Sequence, residues 1–355
     1  MPDKIKQAFN DVKDDIEELK KRMTRLESHE RTDGQARNDH QRILVTGAAG
    51  FIGSHTAETL AEHHEVLGVD NVNDYYTEEQ KERNIAAIRN AGVRFERRDI
   101  RDETTYERIV EFDPDVIIHI AAMAGVRWSI DNPEEYIDVN VTGTQRVLSA
   151  AEASEAFTVM ASSSSVYGAR DDAPFSEDDA VDHQVSPYAA TKRCAELLAQ
   201  VHEHLNDLPV TCLRFFTVYG PRGRPNMAPY KFIRMVDNDE ELTRYGDGTS
   251  ARDYTYVDDI VQGITKAMQN PNGYELYNLG NNDVVELNDF IATVEDVVGK
   301  DANIVELPEQ PGDVPLTCAD ISKAQDELGY NPQTSLEEGL TEMYKWYKKE
   351  GKDQK

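Results

Sequence analysis

The sequence predicts an α/β fold: a doubly wound parallel sheet with helices on both faces, followed by a smaller C-terminal α/β lobe. Three observations lead there. From Arg42 onward, short apolar runs rich in β-branched residues alternate with amphipathic stretches of helical period, the pattern of strands buried on both sides. The first run leads directly into Gly47-Ala-Ala-Gly50-Phe-Ile-Gly53 and then into an amphipathic stretch. After Phe215 the alternation breaks into Gly- and Pro-rich loops, among them Tyr219-Gly-Pro-Arg-Gly-Arg-Pro225, which mark the start of the second lobe.

The elements follow in chain order. Residues 1–41 precede the sheet. Ile5, Phe9, Val12, Ile16, Leu19, Met23 and Leu26 alternate four-then-three spacing, which sets them on one seam of a coiled-coil-like helix. The seam either recruits a second copy or packs on the chain's own surface. His29 to Gln41 is polar and reads as a linker. Strands are expected at Ile43–Val45, Val66–Val69, Val93–Phe95, Val116–Ile120, Thr158–Ala161 and Val210–Phe215, and later helices near Tyr230–Val236, Asp258–Gln269, Asn288–Val298 and Leu336–Lys349. The expected division is a dinucleotide-binding domain over 42–216, with 256–280 returning to it, and a second lobe over 217–255 and 281–350.

Bulk composition excludes several classes. A hydrophobic content of 39% supports a packed core. No apolar run is long enough to cross a bilayer, and the amino terminus lacks the apolar core of an export signal. Cys194, Cys212 and Cys318 share no metal-type spacing and read as free thiols of a reducing cytoplasm, with no metal site. The formal net charge of −29 repels nucleic acid and anionic lipid. It also opposes compaction unless salt screens it, so the chain belongs to a high-salt cytoplasm or is an unusually acidic mesophile protein.

The glycine segment carries the first chemistry. Glycines after a strand allow a tight turn, and the following helix start offers free N–H groups to a pyrophosphate, as in a Rossmann-type site. Asp70 ends the next strand, 17 residues past Gly53. There it is placed to bond ribose hydroxyls and to repel a 2′-phosphate, which favours NAD over NADP. Tyr188-Ala-Ala-Thr-Lys192 opens a helix, and its i, i+4 spacing sets phenol and ammonium on one face. An adjacent ammonium favours phenolate and tunes the tyrosine toward acid–base work.

The G-x-x-G-x-x-G spacing resembles the extended short-chain dehydrogenase/reductase family. Arg98-Asp99-Ile100, His119-Ile-Ala121-Ala122, Asn140-Val-Thr-Gly143 and the serine run Ser162–Ser165 before Tyr167-Gly168 carry the same resemblance. It implies a cofactor set of Gly47, Gly50, Phe51, Ile52, Gly53, Asp70, Asp99, Ile100, Ala121, Ala122, Asn140, Tyr188 and Lys192. It also implies a catalytic set of Ser163, Tyr188 and Lys192. Relatives that dehydrate or decarboxylate nucleotide sugars carry acidic residues after the triad serine, whereas Ser164 and Ser165 stand there in this chain. Oxidation at C4 is then followed only by re-reduction, which implies an epimerase that regenerates its NAD.

Met123–Arg127, Pro174–Glu177, Arg214–Ala228, Arg252–Asp259 and Gln310–Val314 are similar to the UDP-glucuronate 4-epimerase family. Thr217 and Gln310 depart from glucose-type epimerases in the glucuronate direction, while Asn226 replaces a frequent aspartate. The resemblance implies a carboxylate clamp of Thr217 and Arg224. Arginine plus hydroxyl offer charge-assisted bonds of fixed geometry, and restraint would keep a β-keto acid from losing CO₂. The implied substrate set is Arg127, Ser163, Ser164, Ser165, Thr217, Arg224, Arg252, Gln310 and Asp313. Arg252 and Asp313 fall on the uridine diphosphate. The other readings are an epimerase of UDP-glucose or its N-acetyl relative, which leaves Arg224 without a carboxylate, and a non-catalytic NAD-binding scaffold, against which the intact Ser/Tyr/Lys set argues. A homodimer or higher homo-oligomer is expected.

Overall fold

Strand β1 (Arg42–Thr46) sits between β2 (Glu65–Asp70) and β4 (Val116–His119) in a seven-stranded parallel sheet. Beyond β2 lies β3 (Arg94–Arg97); beyond β4 come β5 (Phe157–Ser163), β6 (Val210–Phe215) and β10 (Tyr274–Leu279). This computed structural model describes residues 40–170, 172–308 and 316–351. The heptad seam and the candidates Gln310 and Asp313 lie outside the described residues.

Six of these strands fall on the apolar runs. β10 does not announce itself, because Tyr274-Glu-Leu-Tyr-Asn-Leu279 is an edge strand whose first half is only partly buried. Strand alternation feeds two cores. Ile43 and Val45 pack with Ala57, Leu60, Ile260 and Ile264 on one face. Leu44, Leu67 and Val69 pack with Ile109, Phe112 and Val147 on the other. Neighbouring residues of β1 thus serve opposite faces, as the period of two requires. Each fully buried aliphatic side chain contributes about 1.5–3 kcal/mol.

The first face is covered by α1 (Phe51–Ala61), α2 (Glu78–Asn90) and, from later in the chain, Val257–Met268; the second by α3 (Glu103–Phe112), α4 (Thr144–Ser154) and α5 (Pro187–Asn206). A separate aromatic-rich core gathers Tyr219, Tyr230, Phe232, Tyr254, Phe290, Leu340, Met343 and Tyr347. Tyr254 and Phe290 stack at 4.4 Å between centroids. It lies around the small sheet of β7 (Thr217–Tyr219), β9 (Ala251–Tyr256) and β11 (Val284–Glu286), while β8 (Glu241–Tyr245) pairs with β12 (Asn303–Leu307). Phe51, from the glycine turn, belongs to this second core, so the cofactor turn is built partly on the later lobe.

Chain order runs outward from β1 to β3 and then returns to β4 on the opposite side of β1. That reversal is the topological switch point, and ligands of open α/β sheets bind at the carboxyl ends of the strands there.

Candidate functional site

A cleft of about 390 Å³ opens at that point, within the size range of small-molecule sites. Its floor is the glycine turn. Gly47 adopts φ +74°, and a Cβ there would lie 2.8 Å from the Ala121 nitrogen; one on Gly53 would lie 2.0 Å from the Gly47 carbonyl oxygen. The ends of β1 and β4 therefore meet as closely as backbone allows. Gly50 caps α1 without a side-chain bond, which leaves first-turn N–H groups aimed into the cleft for an anion.

The Asp70 carboxylate accepts from the Ala49 nitrogen at 3.2 Å and the Val72 nitrogen at 2.7 Å. Burial pushes its pKa up, opposed first by the nearby Lys81 ammonium. Asp99 is held by a bidentate Arg101 and by Asn71, and the Arg101 bonds pull it down to about 2. A glycine cradle, an uncapped helix start and a carboxylate at the end of β2 fit a dinucleotide with free ribose hydroxyls.

The catalytic candidates converge from β5 and α5. Ser186 caps α5 by accepting from the Ala189 nitrogen at 3.1 Å, and Pro187 follows at the first helical position. This fixes Tyr188 in the first turn, facing the end of β5. The Ser163 hydroxyl donates to the Ser165 hydroxyl at 3.1 Å and accepts from the Ser165 nitrogen at 3.2 Å. Burial holds the Tyr188 phenol above its ordinary range, while its bond with Ser163 and the positive charge of Arg224 pull it down. Lys192 Nζ donates to the Ala161 carbonyl at 2.7 Å, and burial lowers its pKa to about 8. In the protein alone, burial thus outweighs the pull toward phenolate expected from the sequence.

Beneath this group, Glu196 is fully buried. It accepts from Ser162 Oγ at 2.6 Å and from the Arg214 fork at 2.9 and 3.0 Å. Ser162 therefore points away from the cleft chemistry and ties β5 to α5. Breaking one side of such a pair costs about 3–5 kcal/mol.

Thr217 and Arg224 line the far end of the cleft with Ala124, Gly125, Phe216 and Met227. Arg224 reaches the Ala124 carbonyl at 3.4 Å and the Met227 sulfur at 3.3 Å. No carboxylate pairs with it among the described residues. Arg222 instead grips Glu58, at 2.6 and 3.2 Å.

The family model for GDP-mannose 4,6 dehydratase matches residues 44–343. A UDP-glucuronate 4-epimerase of Thermodesulfobacterium geofontis is 42% identical over 313 residues, covering 86% of this chain and 95% of the relative. The chain belongs to the extended short-chain dehydrogenase/reductase family. Among solved members of that family, the UDP-glucuronic acid 4-epimerase of Bacillus cereus, in complex with UDP-glucuronic acid and NAD, superimposes with a TM-score of 0.82. It is 37% identical and covers 87% of this chain and 99% of the relative. The UDP-glucose 4-epimerase of Thermotoga maritima, with UDP-glucose, gives 0.80 at 31% identity, with coverage of 87% and 99%.

Most residues expected from the family motifs line this one cleft: Gly47, Gly50, Phe51, Ile52, Gly53, Asp70, Asp99, Ile100, Ala121, Ala122, Ser163, Ser164, Ser165, Tyr188, Lys192, Thr217 and Arg224. Asn140 does not. It is buried behind the wall, accepting from the Met123 nitrogen at 2.7 Å and donating to the Met123 carbonyl and Thr191 hydroxyl. Its amide is spent on bracing the loop after β4 against α5. Arg127 and Arg252 also lie off the cleft lining; Arg127 sits 5.7 Å from the Tyr245 ring centre and Arg252 Nη1 donates to its neighbour's carbonyl at 2.9 Å.

Sequence reasoning missed Asn71, Asn73, Tyr76 and Lys81, which line the same cleft. The available signal was the polar and aromatic run Asn71-Val-Asn-Asp-Tyr-Tyr76 immediately after the strand ending at Asp70.

Proposed function

We propose that the protein interconverts UDP-glucuronate and UDP-galacturonate, with NAD held throughout. The C4 alcohol is oxidised to the ketone and returned to the alcohol with inverted configuration, so the redox balance closes within one turnover. The observation that carries the sugar assignment is Arg224, a cleft arginine with no carboxylate partner among the described residues. A carboxylate on the substrate completes the pair.

In this reading the glycine turn and the start of α1 hold the pyrophosphate, Asp70 the adenosine ribose, and Asp99 with Ile100 the adenine. NAD bound there supplies the hydride acceptor and donor. Ser163 hydrogen-bonds O4 of the sugar. Tyr188 Oη takes the O4 proton as C4 is oxidised and returns it once the sugar has turned its other face. The Lys192 ammonium, one helical turn past Tyr188 and fixed on the Ala161 carbonyl, favours the ionised form of the phenol. Ser164 and Ser165 provide neither acid nor base for elimination. Thr217 and Arg224 hold the C6 carboxylate out of line with the ketone's π system, which keeps the β-keto acid intact. Arg252 and Asp313 are assigned to the uridine diphosphate, with Arg127 and Gln310 kept in the wider substrate set.

The same reading includes a cytoplasmic, high-salt setting, drawn from the three unpaired cysteines and the net charge of −29. It also includes a homo-oligomer reinforced by the heptad seam of residues 5–26. No helix among the described residues is long and apolar enough to cross a membrane.

Replacing Arg224 with alanine tests the sugar assignment. The expected result is a loss of about 10²-fold in kcat/KM on UDP-glucuronate, with little change in the affinity for UDP, and release of a decarboxylated 4-keto pentose. An equal loss of affinity for UDP and for UDP-glucuronate contradicts the clamp.

A further inference from the structure

The loop that delivers Arg224 is strained. Arg222 adopts φ +63°, in the left-handed region that side chains other than glycine rarely take. At the next residue, a Cβ on Gly223 would meet the Gly220 carbonyl oxygen at 2.9 Å. Such a path persists only where its surroundings over-determine it.

Three side chains from the cofactor helices do so. His55 of α1 contacts the Pro221 carbonyl through Nε2 at 2.9 Å; a carbonyl only accepts, so that nitrogen carries the proton. Glu58 of α1 holds the Arg222 guanidinium. Gln80 of α2 donates its amide to the Arg222 carbonyl at 2.5 Å and to the Gly223 carbonyl at 3.3 Å. Four residues further along α2, on the same face, Asn84 donates to the Ala49 carbonyl of the glycine turn at 2.9 Å. Gln80 and Asn84 are 1% and 2% exposed, so the buried face of α2 is a strut with the cofactor turn on one amide and the arginine loop on the other.

The Gln80 carbonyl oxygen is buried without a partner among the described residues. The donor end of this side chain does the useful work.

We infer that Gln80, with Glu58, is a positioning residue that sets Arg224 for the carboxylate of a UDP-hexuronate and couples that setting to the glycine turn. This rests on the substrate assignment proposed above. Gln80 touches neither ligand and acts through the backbone of residues 222–223.

The test is calorimetric binding of UDP-glucuronate, UDP-glucose and UDP to the NAD-loaded full-length protein. Wild type, Gln80→Met, Glu58→Gln, Arg224→Ala and the Gln80→Met/Arg224→Ala double variant are compared. Gln80→Met is expected to weaken UDP-glucuronate on the order of tenfold and UDP less than twofold. In the Arg224→Ala background it should cost nothing further, because a residue acting only through Arg224 is not additive with its loss. Glu58→Gln keeps the shape of a half-buried pair and should weaken UDP-glucuronate about threefold, which preserves the test if Gln80→Met does not fold. Equal losses for UDP and UDP-glucuronate, or full additivity with Arg224→Ala, overturn the inference. If wild type binds UDP-glucuronate no more tightly than UDP-glucose, the substrate assignment falls and this inference falls with it. If wild type discriminates and both Gln80→Met and Glu58→Gln leave that discrimination intact, this inference alone falls.

Discussion

The Lys192 ammonium donates a 2.7 Å hydrogen bond to the carbonyl of Ala161, two residues before Ser163 on the same strand. That bond fixes the register between α5, which carries Tyr188, and the end of β5, which carries the serine. The position of the base relative to the hydroxyl it works beside is therefore set by one charged contact, with the Glu196–Arg214 pair beneath it.

Activity and stability should respond to alkali in opposite directions. Burial lowers Lys192 from 10.5 to about 8, so the folded protein sheds this proton first as pH rises. Between about pH 8 and 10.5 the unfolded chain binds more protons at this site, and its contribution to stability rises with pH. The positive charge one helical turn past Tyr188 is meanwhile lost, so kcat/KM falls through about pH 8. Lys192→Met should remove both dependences and lower kcat by about 10²-fold or more. A pH–rate profile with parallel denaturant titrations checks this, and an unchanged alkaline limb in the variant argues against it.

Acid should unfold the protein partly through His119. Its ring nitrogens contact the Thr46 and Thr144 hydroxyls at 2.8 and 3.0 Å, and burial lowers its pKa to about 3. The folded form stays neutral while the unfolded chain gains a proton below pH 6.5. Stability contributed by this site is thus lost as pH falls, by about 2 kcal/mol between pH 7 and pH 5. His119→Gln should show a drop smaller by that amount over the same interval. Equal drops in the two proteins, measured by chemical denaturation, rule the site out.

Salt should stabilise the fold into the molar range. The net charge of −29 is the broad reason; the helix ends give a local one. Asp113, Glu155 and Asp207 close α3, α4 and α5 in the left-handed region, with φ near +50°. Each is an acidic residue at the negative end of a helix dipole where glycine is preferred, and Asp113 is paired there with Arg42. Asp207→Gly should raise the melting temperature, more in dilute buffer than in molar KCl. Full stability of the wild type in dilute buffer contradicts the high-salt setting.

Much of the site was legible because its chemistry is local in sequence. The glycine turn, Tyr188 with Lys192, the serine run and Thr217 with Arg224 are short motifs, and each lines the cleft. What was hidden depends on long-range contacts. Gln80 meets Arg222 across 142 residues and His55 meets Pro221 across 166, so nothing in either segment alone announces the pairing. The resemblance puts Asn140 in the cofactor set, yet all its amide bonds are internal. Arg222 and Arg224 stand in the same loop and are chemically identical; only the position of Glu58 on α1 separates the structural arginine from the one left for a ligand. Edge strand β10 escaped for a different reason, since partial exposure permits the polar residues that blur its pattern.

The most direct test uses UDP-glucuronate deuterated at C4, incubated with the purified protein without added NAD and followed by NMR and mass spectrometry. The account predicts conversion to UDP-galacturonate with the deuterium kept at C4, because the same bound cofactor returns what it removed. No conversion of UDP-glucuronate, or conversion with the label exchanged into solvent, would contradict it.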